Sequence, residues 1–246
     1  MYDITMTGCT SCFSSGESII LYHGSDKVIE TPSADFKNPN NDYGSGLYCT
    51  QSLERAKEWA AYRGNGIGYV NQYSFNETGL KILDLTSKDF SVLHWITMLV
   101  NHRVLSEDDM QIFGDAVDFL SERYFIDVTK YDVAIGYRAD DSYFSYARAF
   151  LSNQLPLQRL AKALELGALG RQYVLLSTES FDHRHLQFSG AKCISDPIYL
   201  KRYITNDKRA RDAYQALRHI DRNEHTRMTY IIDLMRKEAN SNVSFI

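Results

Sequence analysis

The sequence predicts a mixed α+β fold, and three observations lead to it. Short apolar, strand-like runs recur at 18–22, 69–75, 132–137 and 172–177. Stretches of helical periodicity separate them at irregular intervals. The regular strand–helix alternation of a doubly wound parallel sheet is missing. With 246 residues, 44% of them hydrophobic and 13% aromatic, the chain can build one packed domain with elaborations.

Residues 1–16 are small, polar and aperiodic, which suits an N-terminal tail. Ser18-Ile19-Ile20-Leu21-Tyr22 reads as a buried strand, broken by His23-Gly24-Ser25. Residues 31–46, with Pro32, Pro39, several asparagines and glycines, read as a long loop, and a loop of that length is commonly functional. A helix follows from about Gln51 to Tyr62, with Leu53, Ala56 and Ala60 in phase and Thr50 or Ser52 as its cap. Tyr69 to Phe75 alternates as a half-buried strand should, and Lys81 to Leu85 is a second short one.

The middle of the chain is helical. Phe90 to Val100 has a broad apolar face. Ser106-x-x-Asp109 resembles a capping box and opens a helix striped by Met110, Phe113, Val117 and Leu120. Asp132 to Tyr137 is a strand, helices are expected at 142–152 and 156–166, and Gln172 to Ser177 is a core strand. Two charged amphipathic helices near 207–222 and 226–239 close the chain. The domain expectation is a tail (1–16), a main domain (17–200) and a helical extension (201–246).

Composition narrows the function. A net charge of −4 does not suggest a nucleic-acid binder, although residues 201–246 carry 10 Lys/Arg against 6 Asp/Glu. Cys9-x-x-Cys12 lacks the second pair that a zinc site needs. No basic segment leads into an apolar N-terminal stretch, and no apolar run approaches a membrane span. The protein is therefore expected to be soluble and cytoplasmic, with no membrane partner.

Several chemistries lack their motif. Gly64-x-Gly66-x-Gly68 has the wrong spacing for a dinucleotide fingerprint and precedes a strand. There is no Walker A loop, and no serine sits in an elbow motif. His183-x-His185, His219 and His225 have no accompanying carboxylate or cysteine cluster, so no metal is expected. What remains is a set of polar residues at strand ends: His23, Tyr48 after the bend Asp42 to Gly46, Asp140 with Asp141, and Gln172. A histidine, an approachable glycine backbone and an aromatic face suit a nicotinamide ring beside a ribose.

The residues also carry a family resemblance. Tyr22-His23-Gly24-Ser25, then Gly46-Leu47-Tyr48-Cys49-Thr50, then Ala56-x-x-Trp59-Ala60 resemble the ADP-ribosyltransferase fold of the H-Y-E class, which includes diphtheria toxin and poly-ADP-ribose polymerases. Tyr131 to Phe144 and Leu166 to Ser177 are similar to a bacterial family of uncharacterised-function domains placed among ADP-ribosyltransferase-like proteins. The resemblance covers about residues 17–190 and implies a split β-sheet core, two small packed sheets, with helical insertions and a C-terminal helical extension. It implies NAD as substrate and a macromolecular acceptor, whether protein, DNA or RNA. It further implies a toxin or phage-defence setting with a neutralising antitoxin partner.

Carried over residue by residue, His23 binds the adenosine ribose, the Gly24 backbone pairs with the nicotinamide carboxamide, Tyr48 stacks on its ring and Thr50 helps to position it. Tyr22 and Ser25 flank this NAD-binding set. The class carries a catalytic glutamate at the start of the late strand, where this chain has Arg171-Gln172. Cleaving the nicotinamide–ribose bond develops positive charge that a carboxylate stabilises. Gln172 can supply the hydrogen bond but not the charge, so Asp140 or Asp141 is expected to supply it, unless that pair only caps a helix. Three readings follow: a transferase, an NAD glycohydrolase, or a catalytically lapsed NAD- or ADP-ribose-binding module.

Overall fold

A computed structural model describes residues 18–35, 38–138, 141–166, 170–218 and 228–243. Among them seven strands form one mixed sheet: β1 (Ile19–Ser25), β2 (Leu47–Thr50), β3 (Gly68–Phe75), β4 (Ile82–Asp84), β5 (Val133–Tyr137), β6 (Arg171–Leu175) and β7 (Leu186–Ile194). Their order across the sheet is β4-β5-β6-β2-β1-β3-β7. β4–β5 is parallel and every other pairing is antiparallel.

The described helices are α1 (Leu53–Arg63), α2 (Val92–His102), α3 (Glu107–Tyr124), α4 (Asp141–Leu151), α5 (Leu157–Leu166), α6 (Pro197–Arg218) and α7 (Ile231–Val243). The mixed α+β class is thus observed. None of the described helices is long and apolar enough to cross a membrane.

Two separate sheets were expected, and the strands instead form a single ladder. Its two halves, β4-β5-β6-β2 and β1-β3-β7, meet at one register pair, Tyr22↔Thr50. They share one apolar core, in which Leu21, Tyr73 and Phe75 of one half pack with Leu47, Ile135, Tyr173 and Leu175 of the other. None of the described helices contributes a residue to that core. Helices α2 to α5 and Ile231 of α7 build the largest core, around Trp95, Leu99, Leu120 and Phe150. A third cluster sets Ala56, Ala60 and Ala61 of α1 against Val70 of β3 and Ile194 of β7.

The expected break at His23 is corrected: β1 continues through Ser25, with His23, Gly24 and Ser25 paired to Asn71, Val70 and Tyr69 of β3. Gly24 serves helix packing rather than a turn. A Cβ there would lie 2.3 Å from the Ala56 carbonyl oxygen of α1 and 2.7 Å from the Ala60 nitrogen. The capping residues behave as their chemistry demands. The Ser52 hydroxyl accepts from the Arg55 amide, and Ser106 and Asp109 form the reciprocal box at the start of α3. Phe113, Val117 and Leu120 are buried as a stripe, whereas Met110 faces solvent.

Two further elements depart from expectation. β7 was not foreseen, because Gly190 interrupts its alternation and only Leu186 and Ile194 of its residues are fully buried. The helix expected to begin near 207 begins instead at Pro197, a residue whose fixed φ suits a first turn. Asp196 caps it by accepting from the Ile198 amide at 2.9 Å. α6 then packs on α1, with Tyr203 stacked on Tyr62 at 4.1 Å and edge-on to Trp59 at 6.4 Å.

Candidate functional site

A cleft of about 540 Å³ opens where the two half-sheets part. Its walls come from the end of β1, the bend before β2, the face of α1, the residue following α2, and the ends of β5 and β6. The expected residues Tyr22, His23, Gly24, Ser25, Tyr48, Thr50 and Gln172 all line it. Asp140 lies outside the described residues, as does the side chain of Asp141, so the expected carboxylate pair is not placed. Among the described residues no group of three or more His, Cys, Asp or Glu could hold a metal ion.

His23 is fixed by its neighbour strand. Its Nδ1 lies 2.7 Å from the Tyr48 carbonyl oxygen of β2. Burial pulls its pKa below the ordinary imidazole value; the bond to Tyr48 opposes this and the charge of Arg63 adds to it. A neutral ring must then donate from Nδ1 to the carbonyl, which leaves Nε2 as an acceptor. This is the tautomer that can receive a ribose hydroxyl.

The bend before β2 is built around two tyrosines. The Tyr43 side chain is fully buried, and its hydroxyl donates to the Tyr137 carbonyl at 2.9 Å. A Cβ at Gly136 would lie 1.9 Å from that hydroxyl, so β5 needs glycine beneath it. The Tyr48 hydroxyl donates to the Gly44 carbonyl at 2.6 Å and accepts from the Tyr43 amide at 3.0 Å. Burial pushes its pKa well above the ordinary phenol range. The hydroxyl therefore clasps the bend, and the ring face is the part of Tyr48 left to meet a ligand. Gly44, at φ +78°, supplies the left-handed turn inside this clasp.

Ser25 and Thr50 have local partners. The Ser25 hydroxyl donates to the Lys27 carbonyl at 2.5 Å and accepts from the Asn71 side-chain Nδ2 at 2.9 Å. Asn71 is fully buried and also accepts from the Ile29 amide at 2.7 Å. The segment after β1 is thereby stapled down, with Asp26, Lys27 and Ile29 in the cleft wall. Thr50 accepts from the Ser52 amide at 3.1 Å and faces Gln172 across the β2–β6 register.

A carboxylate does stand beside Gln172, and sequence reasoning missed it. Asp42 is 6% exposed, and its Oδ2 accepts from Gln172 Nε2 at 3.4 Å. Arg103, at the C-cap of α2, donates to its Oδ1 from Nε at 2.8 Å and from Nη2 at 2.6 Å. No sequence signal could link residues 61 and 130 positions apart. Two arginines were missed as well: Arg138, just past β5, lies over the Trp59 ring at 4.1 Å, and Arg63 lies 6.0 Å from the same ring. Arg171, next to Gln172, pairs with Asp84 at 2.5 Å. Among the described residues, five cationic ones (Lys27, Arg63, Arg103, Arg138, Arg171) line the cleft with two carboxylates, Asp26 and Asp42. The described lining is thus rich in positive charge in a chain of net charge −4.

Residues 19–188 match the family described as "Protein of unknown function (DUF3990)". No curated protein and no solved structure matches the chain.

Proposed function

We propose that this chain, which belongs to the DUF3990 family, is an NAD-dependent ADP-ribosyltransferase that modifies a macromolecule. One observation carries the reading: His23, Tyr48 and Gln172, from three strands, line one cleft in which Gln172 lies 3.4 Å from the Asp42 carboxylate. The tautomer of His23 suits a ribose hydroxyl, the Tyr48 ring offers a face to nicotinamide, and Gln172 can bond the second ribose. The cleft's volume lies within the range of sites that enclose a nucleotide-sized ligand.

In the proposed reaction the bond between the ribose carbon and nicotinamide breaks, and its electron pair leaves with neutral nicotinamide. The ribose carbon gains positive charge and forms a bond to an oxygen or nitrogen of the acceptor, whose proton passes to solvent. Asp42, held by Arg103, places a fixed negative charge beside Gln172 to offset that developing charge. It takes the role that the resemblance gives to a glutamate. The resemblance extends the reading to a toxin or phage-defence effector with a neutralising partner, for which growth arrest on expression is the test.

The deciding experiment incubates the full chain with NAD labelled on the adenylate and with cell lysate. Label on protein or nucleic acid supports the transferase. Free ADP-ribose without transfer makes the protein a glycohydrolase. NAD that is bound and never consumed makes it a binding module, the outcome favoured if Gln172 cannot replace the missing carboxylate.

A further inference from the structure

Helix α1 presents two working faces. Ala56, Trp59 and Arg63, at i, i+3 and i+7, line the cleft. Glu54, Lys57, Glu58 and Tyr62 meet α6 instead. Their partners Tyr199, Arg202, Tyr203 and Asn206 follow the same helical spacing, so one face of α6 lies on one face of α1. Arg202 Nη1 donates to Glu54 at 2.9 Å, and Lys57 donates to the Tyr199 hydroxyl at 3.3 Å. Asn206 Nδ2 donates to the buried Glu58 carboxylate at 3.2 Å. The Arg202–Glu54 pair is about half exposed, and such pairs fix a packing arrangement only weakly. The aromatic contacts are more directional. Tyr203 stacks on Tyr62 and meets Trp59 edge-on at an interplanar angle of 84°. Trp59 thus stands where the cleft face of α1 meets α6, and Tyr203 is not among the described residues that line the cleft.

We propose that Tyr203 is a positioning residue, which holds the Trp59 indole in the cleft wall and so lets α6 set the affinity of the cleft. A tryptophan side chain without such a neighbour is free to visit other rotamers. Tyr203 restricts the ring from the α6 side, while the Arg138 guanidinium lies over it at 4.1 Å. A ring already held in its bound orientation loses no rotamer freedom when a ligand arrives, and the difference appears as affinity. The proposal rests on the NAD reading only for the ligand with which affinity is measured. It gives the C-terminal helical extension a part in recognition, exerted through one side chain of α1.

Titration calorimetry with ADP-ribose and acrylamide quenching of Trp59 emission, both on the full chain, test this. Trp95 is the other tryptophan, so subtracting the emission of Trp59→Leu isolates the Trp59 signal. Tyr203→Leu is expected to raise Trp59 quenching in the free protein and to weaken ADP-ribose about two- to tenfold. Tyr203→Phe keeps the ring and should match the wild type in both, with melting temperatures reporting on folding. In the Trp59→Leu background, Tyr203→Leu should cause no further loss of affinity, because its effect runs through the indole. Tyr62→Leu, at an exposed position, removes the stack on Tyr203 and should shift both readouts the same way by less. Losses that add, or a Tyr203→Phe as weak as Tyr203→Leu, overturn the proposal and leave Tyr203 a determinant of the fold alone. Wild-type quenching in both Tyr203→Leu and Tyr62→Leu overturns it too. A wild type that binds neither ADP-ribose nor NAD refutes the NAD reading, and the quenching comparison still decides the role of Tyr203.

Discussion

Gln172 of β6 donates its side-chain amide to Asp42, 3.4 Å away and 130 residues earlier in the chain. The contact ties the bend before β2 to the strand at whose start the resembled class carries a glutamate. Asp42 is also held by Arg103, so the three side chains form one buried polar unit.

Asp42→Asn removes the charge and keeps the shape. NAD cleavage is expected to fall about 10²–10³-fold, by analogy with the loss of one preorganised electrostatic group. NAD binding measured by calorimetry should change far less. Cleavage at the wild-type rate would remove Asp42 from the chemistry. Arg103→Ala differs in kind, because it takes the Arg103 guanidinium from a buried carboxylate. It should lower unfolding free energy by about 3 kcal/mol, read from denaturant midpoints.

Tyr48→Phe separates the clasp from the ring. Losing the bonds to Gly44 and Tyr43 should cost about 1–3 kcal/mol of stability. The ring face remains, so NAD affinity in the folded fraction should stay near the wild-type value. Tyr48→Ala loses both clasp and face and should abolish NAD binding. Equal NAD affinity in the two variants would contradict a stacking role for the ring.

Gly24→Ala forces a Cβ into the backbone of α1, 2.3 Å from the Ala56 carbonyl oxygen. Overpacking against a backbone should cost about 3 kcal/mol, with loss of the cleft as α1 is displaced. Gly114→Ala in α3 meets only the Met110 side chain at 3.5 Å, and it should raise stability by about 0.5–1 kcal/mol through helix propensity. Thermal melts of the two variants should therefore move in opposite directions.

His23 gives the site a pH dependence with a defined sign. Its folded-state pKa is lowered, first by burial, so the unfolded chain takes up the proton more readily. Stability from neutral His23 is fully present above about pH 6.5 and is lost as pH falls through the folded value. Burial also lowers His94 and His102, so the measurement is a difference between wild type and His23→Gln. The wild type should lose more melting temperature between pH 7 and pH 5 than the variant. Parallel curves would show that His23 is not held neutral by the fold.

The sequence exposes the elements whose signals are local. The helix caps at Ser52 and Ser106, the alternation of 69–75 and the apolar run at 172–177 each announce themselves within a few residues. The half of the site on β1 and β2 is legible for the same reason, since His23 and Tyr48 sit in compact, glycine-marked segments. The other half is assembled by distance. Asp42 gains meaning from Arg103 and Gln172, and Arg138 from Trp59, a residue on a different element. Even Gly24 was misjudged, because its reason lies in Ala56, 32 positions on. β7 escaped notice because an edge strand with one buried residue at each end has no pattern to read.

The single rung at Tyr22↔Thr50 has a consequence for recognition. Neighbouring strands in an unbroken sheet lie about 4.8 Å apart and leave no gap for a guest. Past Tyr22, β3 is the strand that β1 is registered with, while β2 reaches it through a side chain, the His23 Nδ1 donating to the Tyr48 carbonyl at 2.7 Å. A ligand of the proposed kind lodged there would meet the main chain of Gly24 and Gly46 as well as the side chains of the cleft wall. Its affinity is therefore shared with the polypeptide backbone, a part of the interface that no side-chain substitution can erase.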